Sequence, residues 1–185
     1  MASPPSNVWD GVTVPAAATA VIKRIESFKA KPYDDNGGAP GGTWTIGYGT
    51  IVDANGHPVT AHTPPITEAQ AVALLTRDMG GAVAAVHRRV KVALKTFQAA
   101  ALISWTYNLG EGSLAGSTML KLINANTMAG VPAQMRQWIH QGSTALVGLL
   151  RRRWAEAAIF TGMDPNTACD RAWKEIDSLD DWPAF

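Results

Sequence analysis

With 185 residues, of which 46% are hydrophobic and 17% charged, the chain is long enough to bury a real apolar core and has the composition of a folded domain rather than a disordered one. A formal charge of +1 leaves no basic excess to neutralise phosphates, so nucleic acid is not an expected partner. Cys169 is the only cysteine, which excludes an intramolecular disulfide, and His57, His62, His87 and His140 show no metal-binding pair at helical spacing.

In chain order, residues 1 to about 14 carry Pro4, Pro5 and Gly11 and read as an irregular arm. The apolar run from Val14 to Ile22 is too short for a span, which needs about 20 apolar residues, and no basic stretch precedes it, so neither a secretory signal nor stable membrane insertion is expected. Ala18, Val21, Ile22, Ile25 and Phe28 recur at helical spacing and predict a first helix to about Ala30, ended by Pro32. Asp35-Asn36-Gly37-Gly38 and Pro40-Gly41-Gly42 are turn signals, and Thr43 to Ile51 reads as a strand. Together these predict a sheet of two or three strands over about 33 to 60. Thr67 with Gln70 forms a capping box opening a helix to about Val90, which Gly80-Gly81 kinks or splits. Thr96 caps the next helix, ended by Gly110, and further helices are expected over 117 to 125, 132 to 140 and 145 to 161. Beyond Gly162 the tail holds six acidic residues against Arg171 and Lys174 and predicts a short helix with an extended end, free to pack over the helical part or to serve a partner.

The fold class that follows is α+β, mainly α: a small β-hairpin region after the first helix (15–65), a larger helical part (66–161) and an extension (162–185) within one domain. Such a layout is expected to leave a cleft between its parts. Glu26, late in its helix among Ile22, Ile25 and Phe28, stands where the helix end and apolar neighbours favour the protonated carboxyl. Asp35, in a polar turn, is expected to stay ionised. Two carboxyls pushed apart in this way can divide the cleavage of a glycosidic bond, one protonating the leaving oxygen and the other activating water or stabilising the sugar cation. Thr45 returns on the strand with a hydroxyl for the same water. The alternative reading of these residues alone is a pair of solvated charges flanking an ordinary hairpin.

Glu26, eight residues, Asp35, and then Thr45-Ile46-Gly47-Tyr48-Gly49 resembles the active-site signature of phage-type lysozymes, the T4-lysozyme-like endolysins of glycoside hydrolase family 24. Two later blocks resemble the same family: Phe97 to Gly110 followed by Ser117-Thr118-Met119-Leu120, and Trp138 followed by Gly148 to Glu156. The three blocks run in order over about residues 18 to 161. The resemblance implies a lysozyme-like fold and a muramidase that hydrolyses the β-1,4 bond between N-acetylmuramic acid and N-acetylglucosamine in peptidoglycan. It also implies Glu26 as general acid, Asp35 as second carboxylate in preference to Asp34, and Thr45 as supporting hydroxyl, with no cofactor and no metal. Two positions depart from the family pattern. Nine residues separate Asp35 from Thr45, a lengthened loop, and Thr50 stands where the family has a histidine after Gly-Tyr-Gly. A hydrogen bond is the most that Thr50 can keep of that histidine's role.

Tyr48, Asn108 and Gln141 are candidate hydrogen-bonding residues for substrate. Arg151, Arg152 and Arg153 can contact peptide carboxylates of the wall, Arg152 being the one assigned, or form structural ion pairs with partners such as Glu156 and Asp78. Trp105 and Trp138 can stack on sugars or fill the core. Rival functions are a lytic transglycosylase on the same fold and a non-catalytic wall-binding or virion module. The expected protein is a monomer held in the host cytoplasm until release to the wall, with a holin-type route.

Overall fold

The computed structural model describes residues 7–35, 37 and 42–185. Its contacts divide into two units, Ile22–Gly80 in one and Met1–Val21 with Gly81–Phe185 in the other. The helix after Pro65, expected in the helical part, is therefore grouped with the β-region.

In the first unit, helix α1 (Ala16–Glu26) delivers its last turn and ends four residues before the expected Ala30. Ser27 terminates it, with φ of 54° in the left-handed region, so the reversal happens before Pro32 has any influence. Pro32 instead lies inside strand β1 (Lys29–Asp34), which pairs antiparallel with β2 (Trp44–Gly47). The register runs Lys29 to Gly47 and then Tyr33 to Thr45, an irregularity that spans Pro32, where a residue without an N–H is tolerated. The β2 strand turns at once: Ile46 and Thr50 exchange backbone hydrogen bonds of 2.9 and 3.0 Å around Gly47, Tyr48 and Gly49. Of the two or three strands expected here, two form among the described residues, followed by single bridges such as Val52 with Pro58. The turn signals at 36 and 38–41 lie outside the described residues.

Helix α2 (Glu68–Asp78) carries the anticipated capping box, Thr67 accepting from the Gln70 N–H and Gln70 reaching back to the Thr67 N–H. It packs on β2 and buries Ala71, Leu74 and Leu75, with Met79 at its C-terminal cap; Ile22, Ile46, Tyr48 and Val59 are the buried apolar residues of the same unit. The approach is close: a Cβ on Gly47 would stand 3.0 Å from Cβ of Ala71, and φ of 69° at Gly47 adds a second reason for glycine.

In the second unit, α3 (Gly80–Arg89) starts where the glycine pair splits the long helical pattern. The arm at Val8 is not irregular throughout, since it bridges Lys95 and its neighbours Asn7 and Trp9 bond to Thr96 and Leu94. Helix α4 (Thr96–Gly116) is capped at Lys95 rather than Thr96 and is broken, not ended, at Gly110. It is buried on nearly every side, from Ala99 to Thr106, against α7 (Val147–Thr161). Between them come α5 (Thr118–Asn124) and α6 (Val131–Met135). The helix expected to 140 stops at Met135, and β3 (His140–Gln141) with β4 (Thr144–Ala145) makes a hairpin around Gly142 instead. Helix α8 (Pro165–Glu175), capped by Asp164, packs along α7.

The acidic tail is thereby accounted for. Arg151 bonds the Ile176 carbonyl and the Asp177 carboxylate, Asp181 accepts from the Asp177 and Ser178 N–H groups, and Trp154 donates to the Pro183 carbonyl at 2.8 Å. Of the tail acids, Asp177 meets α7 directly through Arg151, while Asp164 caps α8, Glu175 pairs with Arg171 and Asp181 closes the turn at Asp177 and Ser178.

Candidate active site

Glu26 is the last residue of α1 and is half-buried. Asp34, the last residue of β1, faces Trp44 across the strand pair, while Asp35 follows in the turn and is exposed. The Asp35 N–H donates to the Thr43 carbonyl at 3.1 Å, and its carboxylate Oδ1 accepts from the Thr43 N–H at 2.7 Å. This side chain thus closes the ladder one step beyond its last regular rung. Because side chains alternate along a strand, Tyr33 and Thr45 lie on one face of the pair and Asp34 and Trp44 on the other. Asp35 lies one residue beyond the strand, and its carboxylate is turned onto the Thr43 backbone, two residues before Thr45 on the partner strand's side.

Thr45 is 6% exposed, and its Oγ1 has no hydrogen-bond partner among the described residues. A buried hydroxyl without a partner carries a desolvation cost of about 1–3 kcal/mol, which a bound water or substrate atom would offset.

Tyr48 is placed differently from its expected role. Its ring is buried, lies 5.8 Å from Phe28, and its hydroxyl donates to Glu68 Oε1 at 2.9 Å. Burial first, and then the bond to Glu68, push the phenol above its ordinary value, so it stays a neutral donor. Lys23, one turn before Glu26, meets the same Oε1 at 2.9 Å. The Lys23 ammonium holds the Glu68 carboxyl below the usual range, and Glu68 raises Lys23 in return. Thr50 donates to Asp78 Oδ2 at 2.7 Å, so the hydrogen bond that the histidine's replacement can keep is present. Asp78 also takes Arg77, whose guanidinium in addition bonds the Val52 and Asp53 carbonyls. Neither Lys23 nor Glu68 stands out in the sequence; their one signal is charge in the last turn of one helix and the first turn of another.

In the helical unit, Gln141 is exposed on β3, and Asn108 is exposed with its Oδ1 accepting from Arg153 at 2.7 Å. Arg152 is buried, not presented to solvent, and lies with Arg153 around the fully buried Glu156: Arg152 Nε at 3.3 Å from Oε1 and Arg153 Nε at 3.2 Å from Oε2. Ser104 donates to the same carboxylate at 2.7 Å. Loss of hydration pushes Arg153 down to about 10 despite Glu156. Of the two partners considered for the arginines, Glu156 is used; Asp78 is engaged by Thr50 and Arg77. Trp105 is wholly buried and meets Trp138 edge to face at 5.0 Å, a core pair. No group of three or more His, Cys, Asp or Glu side chains that could hold a metal ion occurs among the described residues.

A model of the family described as phage lysozyme matches residues 23–156, which contain all of these side chains. The chain belongs to the phage lysozyme family. It is similar to the endolysin of Acyrthosiphon pisum secondary endosymbiont phage 1, 33% identical over 76% of this chain and 92% of that one. Among solved structures it is similar to the endolysin from Escherichia coli O157:H7 phage FAHEc1, with a TM-score of 0.73 at 33% identity over 81% of this chain and 94% of that one. A mutant of P22 lysozyme aligns with the same TM-score of 0.73 at 28% identity, over 81% of this chain and 99% of the other. This phage lysozyme is a glycoside hydrolase acting on peptidoglycan, a muramidase that brings about cell lysis. Its mainly helical fold with small two-stranded sheets is the one expected from the motif order. Among the described residues, no helix is long and apolar enough to cross a membrane.

Proposed function

We propose that this phage lysozyme cleaves the β-1,4 bond between N-acetylmuramic acid and N-acetylglucosamine with Glu26 as general acid and Asp35 and Thr45 as the water-activating pair. The Glu26 proton passes to the bridging oxygen as the bond from the muramic C1 breaks. Water held by the Thr45 hydroxyl bonds to that carbon and gives its proton to the Asp35 carboxylate. The observation that carries this reading is the buried, unpartnered Thr45 Oγ1, on the strand whose preceding residue Thr43 is held by the Asp35 carboxylate. It supplies a reason for a water at that point, and the ordinary-hairpin reading supplies none.

Asn108 and Gln141, both exposed, are the substrate contacts retained from the sequence. Tyr48 and Arg152 are not retained, because both are buried, with polar ends on Glu68 and Glu156, whereas Asn108 stays exposed although its Oδ1 holds Arg153. The enzyme acts as a monomer, stays in the host cytoplasm until lysis, and reaches the wall through a holin-type lesion; the naming of its relatives as endolysins supports release to the wall. Clearing of permeabilised cells that requires no second protein, with a single monomeric peak in size-exclusion chromatography, is the expected behaviour.

The deciding experiment is Glu26→Gln in a turbidity assay on permeabilised cells, with a loss of at least about 100-fold expected from removal of a general acid. Persistent lysis overturns the assignment. Mass spectrometry of the digest is expected to show reducing muramic ends; 1,6-anhydromuramic ends would replace hydrolysis by transglycosylation.

A further inference from the structure

The two elements that carry Glu26 and Thr45 are separate pieces of chain, and they meet at one carboxylate. Lys23 lies three residues before Glu26 in α1, so the two share one turn of helix. Tyr48 lies three residues after Thr45, in the tight turn closed by the Ile46 and Thr50 backbone bonds. Lys23 Nζ and the Tyr48 hydroxyl both reach Oε1 of Glu68, each at 2.9 Å, and the ammonium also stands 5.7 Å from the centre of the Tyr48 ring. Glu68 itself is the first residue of α2, fixed there by the Thr67 and Gln70 capping box. The turn is further seated on α2 by Gly47 against Ala71 and by Thr50 on Asp78, at the far end of the same helix.

We propose that Glu68 is a positioning residue for catalysis: by holding Lys23 and Tyr48 on a single oxygen, it sets the distance between the helix end that bears Glu26 and the strand that bears Thr45. Its own contact is with those two side chains and not with substrate. Catalytic geometry is sensitive at this scale, since a shift of about 1 Å can cost on the order of 100-fold in rate. The joint is not built for stability, because the Glu68 side chain is 56% exposed and its ion pair is screened by water. The reading of Tyr48 as a substrate contact makes the opposite forecast, a binding defect.

This inference rests on the roles given to Glu26 and Thr45, and the experiment separates the two. Lys23→Met, Glu68→Gln and Tyr48→Phe are made in the full chain alongside Glu26→Gln and assayed on soluble peptidoglycan fragments, with circular dichroism and thermal melting of each. The expected result is folded protein, kcat lowered about 10-fold in Lys23→Met and Glu68→Gln and less in Tyr48→Phe, and KM within about 2-fold of wild type. Lys23→Arg, which keeps the ion pair, is expected to restore kcat, and Lys23→Met with Glu68→Gln to be no slower than either alone. Unchanged kcat in the folded variants overturns the proposal, as does a rise in KM at constant kcat. If Glu26→Gln is inactive while these variants keep wild-type kcat, only the positioning role fails; if Glu26→Gln is active, the catalytic assignment itself fails.

Discussion

Two carboxylates of this phage lysozyme each gather side chains from different elements, and they do so under opposite conditions. Glu156 on α7 is fully buried and takes Ser104 from α4 together with Arg152 and Arg153 from its own helix. Glu68 on α2 is largely in water and takes Lys23 and Tyr48. The geometry is alike, but the cost of losing it is not. Removing Glu156 strands guanidinium groups where no water replaces the lost partner, whereas removing Glu68 leaves Lys23 able to turn to solvent. The buried carboxylate therefore governs whether the helical unit folds, and the exposed one governs how accurately a folded site is set.

The sharpest way to break this contrast is Glu156→Ala. It is expected to destabilise the protein by about 3–5 kcal/mol, as measured by denaturant unfolding, because Arg153 would remain buried with its charge uncompensated. A melting curve close to wild type would show that the cluster is hydrated and that burial does not distinguish the two carboxylates. Next in size is Thr50→Val, which leaves the partly buried Asp78 without its hydroxyl donor while Arg77 remains. A loss of about 1–2 kcal/mol is expected. Restoring a donor with Thr50→Ser should recover most of it.

Smaller still is Ser27→Gly. The left-handed conformation at Ser27 disfavours a side chain by about 1–2 kcal/mol, and glycine gives part of that back as unfolded-state entropy, so a gain of about 0.5–1 kcal/mol is expected in thermal unfolding. The smallest effect is the pH dependence of the Glu68 joint. Glu68 is held below the usual carboxyl range, so its contribution is complete above that range and is lost as pH falls through its lowered value. Lys23 is raised, so its contribution is complete below the usual ammonium range and is lost as pH rises through its higher value. The stability difference between wild type and Glu68→Gln should accordingly stay flat between roughly pH 5 and 10 and shrink outside that window.

Much of the fold is legible in the sequence because its signals are local. The Thr67 and Gln70 capping box, the split at Gly80-Gly81 and the short helix in the tail are each decided within a few residues. Where local rules compete, sequence alone picks the wrong one. Pro32 reads as the end of α1, but Ser27 reverses the chain first and Pro32 is absorbed into the irregular strand. Residues 136–140 carry enough helical pattern to extend α6, yet the chain leaves the helix at Met135 and turns back through a hairpin at Gly142. In the site, spacing singles out Glu26, Asp35 and Thr45, whereas Tyr48 and Arg152 read as substrate contacts because sequence shows that a polar group exists and not what already binds it.

The sequence by itself determined where helices begin, which residue types could perform glycoside chemistry, and the order of motifs that marks the family. These depend on interactions within a turn or two of helix, or on residue identity alone. Only the tertiary structure decided which polar groups are engaged. Tyr48 meets Glu68 across 20 residues of chain and Ser104 meets Glu156 across 52, and such pairings exist only once packed elements bring them together. Packing also decided the dielectric around each carboxylate, which makes Glu156 a matter of stability and Glu68 one of geometry.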